Sequence, residues 1–490
     1  MKLMSDSTAE PALDVSPHLA PVVYLTDAVA AVGGRLKDRP EDFIVEEIPA
    51  YEPSGTGEHL YLFIQKVNLS TTEMVDILAR HFGVPQHAIG YAGLKDKKAI
   101  TRQVVSIHAP GRKFEEFPSL RHELLSVMWA DMHTNKLRRG HLKGNRFAIK
   151  LRGVPLRAAM DAQKALRMLE RTGVPNRAGE QRFGLLHNNH LVGRALVLGR
   201  FDEALREMLG PARLRVAPAE ADVPSQTAAR EAFARGEYAQ ALELMPHGAR
   251  NERRVLEALL RGADARGAVL AVGEAQRSFY FTSLQSAVFN AVLDARLRAG
   301  TLDALQEGDL AFKHDNGAVF DVDAEAIQRG DLPSRLSTLA ISPSGPMWGA
   351  RMKRARGETD EAEVAALRAF GLEVSDLESF ARQDPDAFGG DRRPLRVPLS
   401  YPDVEAGSDE HGLYVRCSFE LPPGAFATTV MQELTKPDRA PPPAKDRATL
   451  EAAPSEQLAD AVRAALQGGG RPRRPGELPT DIPGLGQGAS

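Results

Sequence analysis

The residues best suited to chemistry lie in "GYAGLKDKKAITRQ" (90–103), where a single carboxylate, Asp96, stands among Lys95, Lys97, Lys98 and Arg102. Cations within about 4–6 Å favour the charged form of a carboxylate. Asp96 is therefore expected to be ionised at neutral pH, a poor proton donor and a serviceable nucleophile or base. Charge pattern alone also fits a plainer structure, a solvated basic turn with one compensating acid. Gly93 and the "GYAG" run favour a tight turn or close backbone approach. A compact loop held between strands is a rigid place to mount a carboxylate.

A second stretch, "HTNKLRRGHLKGNRFAIKLR" (133–152), holds seven Lys or Arg, two His and no acid. Basic residues interleaved with Asn145 and Phe147 suit an RNA backbone and an unstacked base. Phe147 also shares a strand face with Ile149 and Leu151, the pattern of a core residue. In the third stretch, "GGRLKDRPEDFIVEEIP" (33–49), Lys37 is another isolated base and Phe43 an aromatic beside paired acids. Glu41, Asp42, Glu46 and Glu47 read most simply as a charged edge strand with Phe43, Val45 and Ile48 inward. The 13 His show no HExxH spacing, "SPSGP" is not a nucleophile elbow, and no dinucleotide fingerprint or phosphate-loop spacing occurs.

The elements that must hold these residues follow from pattern. "LYLFIQKV" (60–67) is rich in strand formers. It runs into a helix with a capping box, Ser70 and Glu73, an apolar stripe at Met74, Ile77 and Leu78, and a stop at Gly83. "QVVSI" (103–107) and "NRFAIKLRG" (145–153) are strands, the latter with Arg146, Lys150 and Arg152 on a basic outer face. Residues 156–400 are mostly helical, including a helix over 283–300 and Ala/Arg/Glu-rich paired helices over 203–270 without a regular repeat. "ISPSGPMWG" (341–349) and "QDPDAFGGDRRP" (383–394) read as loops. "LYVRCSFEL" (413–421) returns to strand, and 422–436 turns into a helix.

Length and composition set outer bounds. The 490 residues imply two to four domains. A net charge of −3 means that any nucleic-acid contact uses local patches. The lone Cys417 excludes an intramolecular disulfide or multi-Cys zinc site and fits a cytoplasmic chain. No stretch approaches the ~18 consecutive apolar residues of a membrane span, and no apolar signal core opens the chain. The Pro- and Gly-rich end, 437–490, buries too little apolar surface to offset ordering, apart from a possible short helix over 455–467.

Taken together, these stretches resemble the TruD family of tRNA pseudouridine synthases. The resemblance rests on "EDFIVEE" (41–47), "GYAGLKDKKAITRQ" (90–103), "GNRFAIKLRG" (144–153), "VPNRAGEQRFG" (174–184), "SLQSAVFNAVL" (283–293), "SPSGPMWG" (342–349), "RRPLRV" (392–397) and "LPPGAFATTVMQEL" (421–434), in the family's order. The family often has aromatics where this chain has Arg177 and Ala178. The resemblance implies an α+β fold: a pseudouridine-synthase catalytic domain with a central mixed or antiparallel sheet and flanking helices, interrupted by a mainly helical α/β insertion domain. The implied boundaries are a disordered tail over 1–27, catalytic segments 28–170 and 401–436, an insertion over 171–400, and a tail from 437 to 490.

Residue by residue, the resemblance implies a catalytic Asp96 and substrate-binding roles for Lys37, Phe43, Lys95, Asn145, Phe147 and Phe426. It implies tRNA as partner with uridine 13 as target, and no metal, organic cofactor, membrane or protein partner. The chemistry would break the N1–C1′ bond of a flipped-out uridine, turn the uracil, and rejoin it through C5. The ionised aspartate would add to C1′ or take the C2′ proton, and the sequence leaves both routes open. The alternative is a catalytically inactive RNA-binding protein. A hydrolytic glycosidase pairing Asp96 with Glu41 or Glu47, and a helical-repeat scaffold, are further rivals.

Overall fold

Strand β1, Phe43–Pro49, begins where a short 3-10 turn over Pro40–Asp42 ends. It lies inside the sheet and not at its edge. The computed structural model describes residues 22–211, 222–384, 389–437 and 439. In chain order the other strands are β2 (His59–Val67), β3 (Ile89–Tyr91), β4 (Ile100–His108), β5 (Leu125–His133), β6 (Leu142–Arg152), β7 (Val174–Pro175), β8 (Leu310–Lys313), β9 (Val319–Asp321), β10 (Ile341–Met347), β11 (Asp391–Pro394), β12 (Arg396–Val397), β13 (Ser400–Asp409) and β14 (Gly412–Leu421).

The main sheet runs β13-β14-β6-β1-β4-β2-β5, with β3 also on β4. Only β1 and β4 pair in parallel, over Ile44↔Ile100 to Glu46↔Arg102; the remaining pairs are antiparallel. β1 and β3 share one edge of β4: β1 meets residues 100–102 and β3 meets 105–107. The early and late parts of the chain thus build one sheet, and residues 153–399 leave it and return. The excursion carries a four-stranded sheet, β11-β10-β8-β9, the pair β12-β7, and most of the helices, among them Glu274–Arg298.

Helices cover one face of the main sheet. Ala158–Thr172 and Ala427–Thr435 pack on Phe43, Val45, Phe147, Ile149, Cys417 and Phe419. Thr71–Phe82, opened by the reciprocal Ser70/Glu73 cap and closed by Gly83 at φ +66°, packs on Leu60, Leu62, Ile64 and Ile107. The opposite face carries a polar ladder. Arg102 bonds Glu46 at 2.8 Å and Gln65 at 3.0 Å, and Arg146 reaches Glu46 at 3.3 Å and Glu420 at 2.7 Å. Over β2 and β4 the same face is packed instead, with Tyr61 and Val104 buried against Ala92 and Leu137.

Several expectations change. β1 is central, and strict alternation puts Glu47, not Ile48, on the face of Phe43 and Val45. The basic outer face of β6 is neutralised by acids of β13 and of the Pro40–Asp42 turn: Lys150 meets Asp409 at 2.8 Å, and buried Arg152 meets Asp42 at 2.6 Å and Asp409 at 2.5 Å. "ISPSGPM" is the strand β10 and not a loop. It pairs with β8 over residues 341–343 and with β11 over residues 344–347, and Ser344 Oγ donates to the Leu310 carbonyl. "DRRP" within the second predicted loop is β11. The tail boundary at residue 27 is too late, because Thr26 N–H and Oγ1 both donate to the Glu433 carboxylate, at 3.0 and 2.9 Å, and Lys436 Nζ donates to the Thr26 and Val29 carbonyls. The 455–467 helix lies outside the described residues.

Candidate active site

The loop of residues 92–99 connects β3 to β4, and its backbone is tied down at four points. Lys66 is fully buried on β2 and its ammonium donates to the carbonyls of Leu69 (2.5 Å) and Asp96 (2.8 Å). Burial pushes the Lys66 amine down to about 8, against the opposing pull of Asp96. Thr71 Oγ1 accepts from the Lys95 N–H at 3.0 Å, and the Ala92 carbonyl accepts from Gly140 N–H at 2.8 Å. Asn68 N–H donates to the Ala99 carbonyl at 3.1 Å. A Cβ at Gly90 would strike the Leu137 carbonyl, so glycine lets the 137–140 segment close over the loop.

With its main chain fixed, the loop presents Asp96 outward, its carboxylate 44% exposed. Lys37 Nζ stands 3.0 Å from Asp96 Oδ1 and 4.0 Å above the centre of the Phe43 ring. Lys37 holds a left-handed backbone, φ +56°, a conformation that costs a non-glycine residue about 1–3 kcal/mol. The cation is thus aimed from a strained position at the one exposed acid of the loop.

Lys95 points the other way, into the sheet. Its Nζ lies 2.7 Å from Glu47 Oε2, off the hydrogen-bonding direction, and donates to Asn145 Oδ1 at 2.8 Å. Glu47 is 2% exposed. Its other oxygen accepts from the Val104 N–H at 3.2 Å, in the interval of β4 between the β1 and β3 ladders. Burial raises the Glu47 carboxyl above its ordinary range, and Lys95 pulls the other way. The Lys95 ammonium makes an internal contact that fixes the orientation of Asn145 at the edge of the cleft.

A cleft of about 550 Å³ opens beside the loop, within the usual size of a small-ligand site. Phe43, Lys95, Asp96, Asn145, Phe147 and Phe426 all line it, and Lys37 joins through its ion pair with Asp96. Phe43 and Phe147 are nearly buried and meet edge to face, 6.4 Å between centres; Phe147 also tilts against Phe419 at 5.6 Å. They form the floor. Phe426, 44% exposed at the start of the helix Ala427–Thr435, is the aromatic surface free to stack. The seven residues come from four regions of the chain, 37–43, 95–96, 145–147 and 426.

Sequence reasoning read Glu47 as part of a charged edge strand and missed Lys66 and Gln181. The first two carried a signal: each is a charged residue at an inward position of an alternating strand, which requires a buried partner. Gln181, which lines the cleft from the 3-10 turn Glu180–Phe183, lies within "VPNRAGEQRFG", but nothing in its type or spacing marks it as a site residue. Arg177 and Ala178 are explained internally: the Arg177 guanidinium pairs with Asp294, and Asn290 bonds both main-chain groups of Ala178. Among the described residues no cluster of His, Cys, Asp and Glu can hold a metal ion, and no helix is long and apolar enough to cross a membrane.

Comparison with known proteins accounts for this combination of fold and cleft. The family profile described as tRNA pseudouridine synthase D (TruD) matches residues 21–434. The tRNA pseudouridine synthase D of Geobacter metallireducens is 41% identical over 85% of this chain and 98% of its own length. That of Thermus thermophilus is 34% identical over 88% of this chain and 96% of its own. A solved structure from Methanosarcina mazei, described as a tRNA pseudouridine synthase D, superposes with a TM-score of 0.72 at 27% identity, covering 86% of this chain and 97% of that one. The chain belongs to the tRNA pseudouridine synthase D (TruD) family.

Proposed function

We propose that this chain isomerises a uridine of tRNA, at position 13, to pseudouridine, with Asp96 as the catalytic residue. Residues 28–170 and 401–436 then form the catalytic part and 171–400 the insertion. The observation that carries the reading is the convergence on one cleft of an exposed carboxylate, its lysine partner, and aromatic and amide side chains from four separate stretches. The target nucleotide leaves its stack, since C1′ and C5 are shielded within it. Its uracil rests over Phe43 and Phe147, against the open face of Phe426, with Asn145 held ready by Lys95.

Asp96 acts at the ribose. It adds to C1′ as a nucleophile or takes the C2′ proton as a base, and in both routes the N1–C1′ bond breaks with its electrons leaving on the uracil. The ring turns and C5 bonds to C1′, with the Asp96–C1′ bond breaking in the first route and Asp96 returning the proton to C2′ in the second; the C5 proton then departs, and N1 takes one up. Nothing is oxidised or hydrolysed. Lys37 holds the carboxylate in orientation, and the aromatic floor and lid retain the detached base. The test is Asp96→Asn, assayed for pseudouridine in tRNA and for tRNA binding. Loss of product with binding retained is expected; retained product would overturn the assignment.

A further inference from the structure

Of the seven basic residues between 133 and 152, the three on the middle and end of β6 find carboxylates across the sheet. The other four, Lys136, Arg138, Arg139 and Lys143, meet none within ion-pair distance among the described residues. Two of them line a second cavity. Tyr51, Glu52, His133, Asn135, Lys136, Arg138 and His141 enclose about 370 Å³. Lys136 Nζ donates to the His87 carbonyl and Arg138 is exposed, so neither charge is cancelled nearby. Glu52 is the only acid in the lining.

The aromatic part of this basin is built, not incidental. Tyr51 stacks on His133, 5.1 Å between centres at 27°, and meets His141 at 6.2 Å. Its hydroxyl bonds the hydroxyl of Tyr61 and Nδ1 of His141, each at 3.3 Å. His133 Nδ1 accepts from the Ser54 N–H at 3.2 Å, which leaves its proton on Nε2. Burial lowers His133, favouring the neutral ring. A neutral ring stack edged by two uncompensated cations suits a base and its phosphate better than a free anion.

Position links the basin to the proposed active site. Gly140 and Leu142 line the catalytic cleft, and His141 between them lines the basin. From His141 to Asn145 is four residues of extended chain, about 13 Å. We propose that the basin is a second RNA subsite, in which Tyr51 stacks on a base flanking the target, with His141 against its edge, while Lys136 and Arg138 hold its phosphate. The inference rests on tRNA being the substrate. It adds the means by which the flanking strand is gripped while the target uridine is turned out.

The test measures binding of unmodified tRNA transcript across a salt series, for the full-length wild type, Arg138→Ala, Arg138→Glu and Tyr51→Ala. Arg138→Ala is expected to weaken binding several-fold and to reduce the slope of log K against log salt by up to about 0.9. Charge reversal in Arg138→Glu deepens the loss. Tyr51→Ala is expected to weaken binding about tenfold with little change in slope, since stacking releases no counterion. The same variants should raise KM for pseudouridine formation with kcat at saturation retained. Wild-type affinity and slope in both Arg138 variants would overturn the subsite, and Arg138 is exposed enough for either replacement to leave the fold intact. Running the binding series in the Asp96→Asn background separates the two readings. If the wild-type chain makes no pseudouridine while Arg138 substitution still weakens RNA binding, the catalytic proposal alone fails.

Discussion

Replacing Lys95 with methionine should leave a charge stranded inside the sheet. Lys95 Nζ and Glu47 Oε2 are 2.7 Å apart, with side chains 5% and 1% exposed. At an effective dielectric of about 20, that separation corresponds to roughly 6 kcal/mol of attraction. Much of it offsets the cost of taking both groups out of water, but deleting one partner leaves the other's cost uncompensated, typically about 3–5 kcal/mol. Glu47 limits the damage by taking a proton, because its carboxyl is already raised by burial and loses the cation that lowers it. The sign follows from that rise. The folded group binds protons more tightly than the unfolded one, so Lys95→Met loses stability as pH climbs from the ordinary carboxylate range through the raised value. Urea unfolding at pH 5 and pH 8 should therefore show a larger deficit at pH 8. The double variant Glu47→Gln with Lys95→Met carries no buried charge and should recover most of it. Equal deficits in the single and double variants at pH 8, or a single-variant deficit independent of pH, would refute the buried-pair argument.

Other outcomes follow from the same geometry. Lys97→Ala and Arg139→Ala should each weaken tRNA binding and flatten its salt dependence by up to about 0.9 in slope if these side chains meet phosphates; filter binding at several salt concentrations checks this, and an unchanged slope places them away from RNA. Lys66 sits near 8 in the folded protein against about 10.5 unfolded, so the unfolded chain holds more protons between those values and stability rises with pH across that window. Lys66→Met should remove that rise when melting is compared from pH 7.5 to 10. Phe426→Ala removes a half-exposed ring, so the melting temperature should hardly move while pseudouridine formation falls, as measured by single-turnover kinetics.

Much of the fold was legible in local pattern. The Ser70/Glu73 cap, the alternation of β6 and the strand-to-helix passage at 413–435 each obey short-range rules, and the chain follows them. The misreadings share one cause, which is that partners distant in sequence decide burial. The acids of 41–47 looked like a solvated edge because Arg152, Arg102 and Lys95 were not visible as their neighbours. The same blindness made β6 look basic on its outer face and made the proline-containing β10 look like a loop. For the site, the ordered motifs singled out the residues that line the cleft but not their division of labour: Lys95 and Lys37 look alike in sequence, yet one faces inward to Asn145 and the other outward to Asp96.

The placement of β14 against β6 has a consequence for how the protein is made. About 260 residues separate the end of β6 from the start of β14. At ordinary ribosomal speeds, on the order of 10–50 s pass before that partner strand exists. Through this interval β6 is a nascent border with free backbone groups, and Phe147 and Ile149 await their cover from Phe419 and Cys417. Arg146, Lys150 and Arg152, whose acidic partners Glu420 and Asp409 also arrive late, would then serve as temporary charged guards against pairing with another chain.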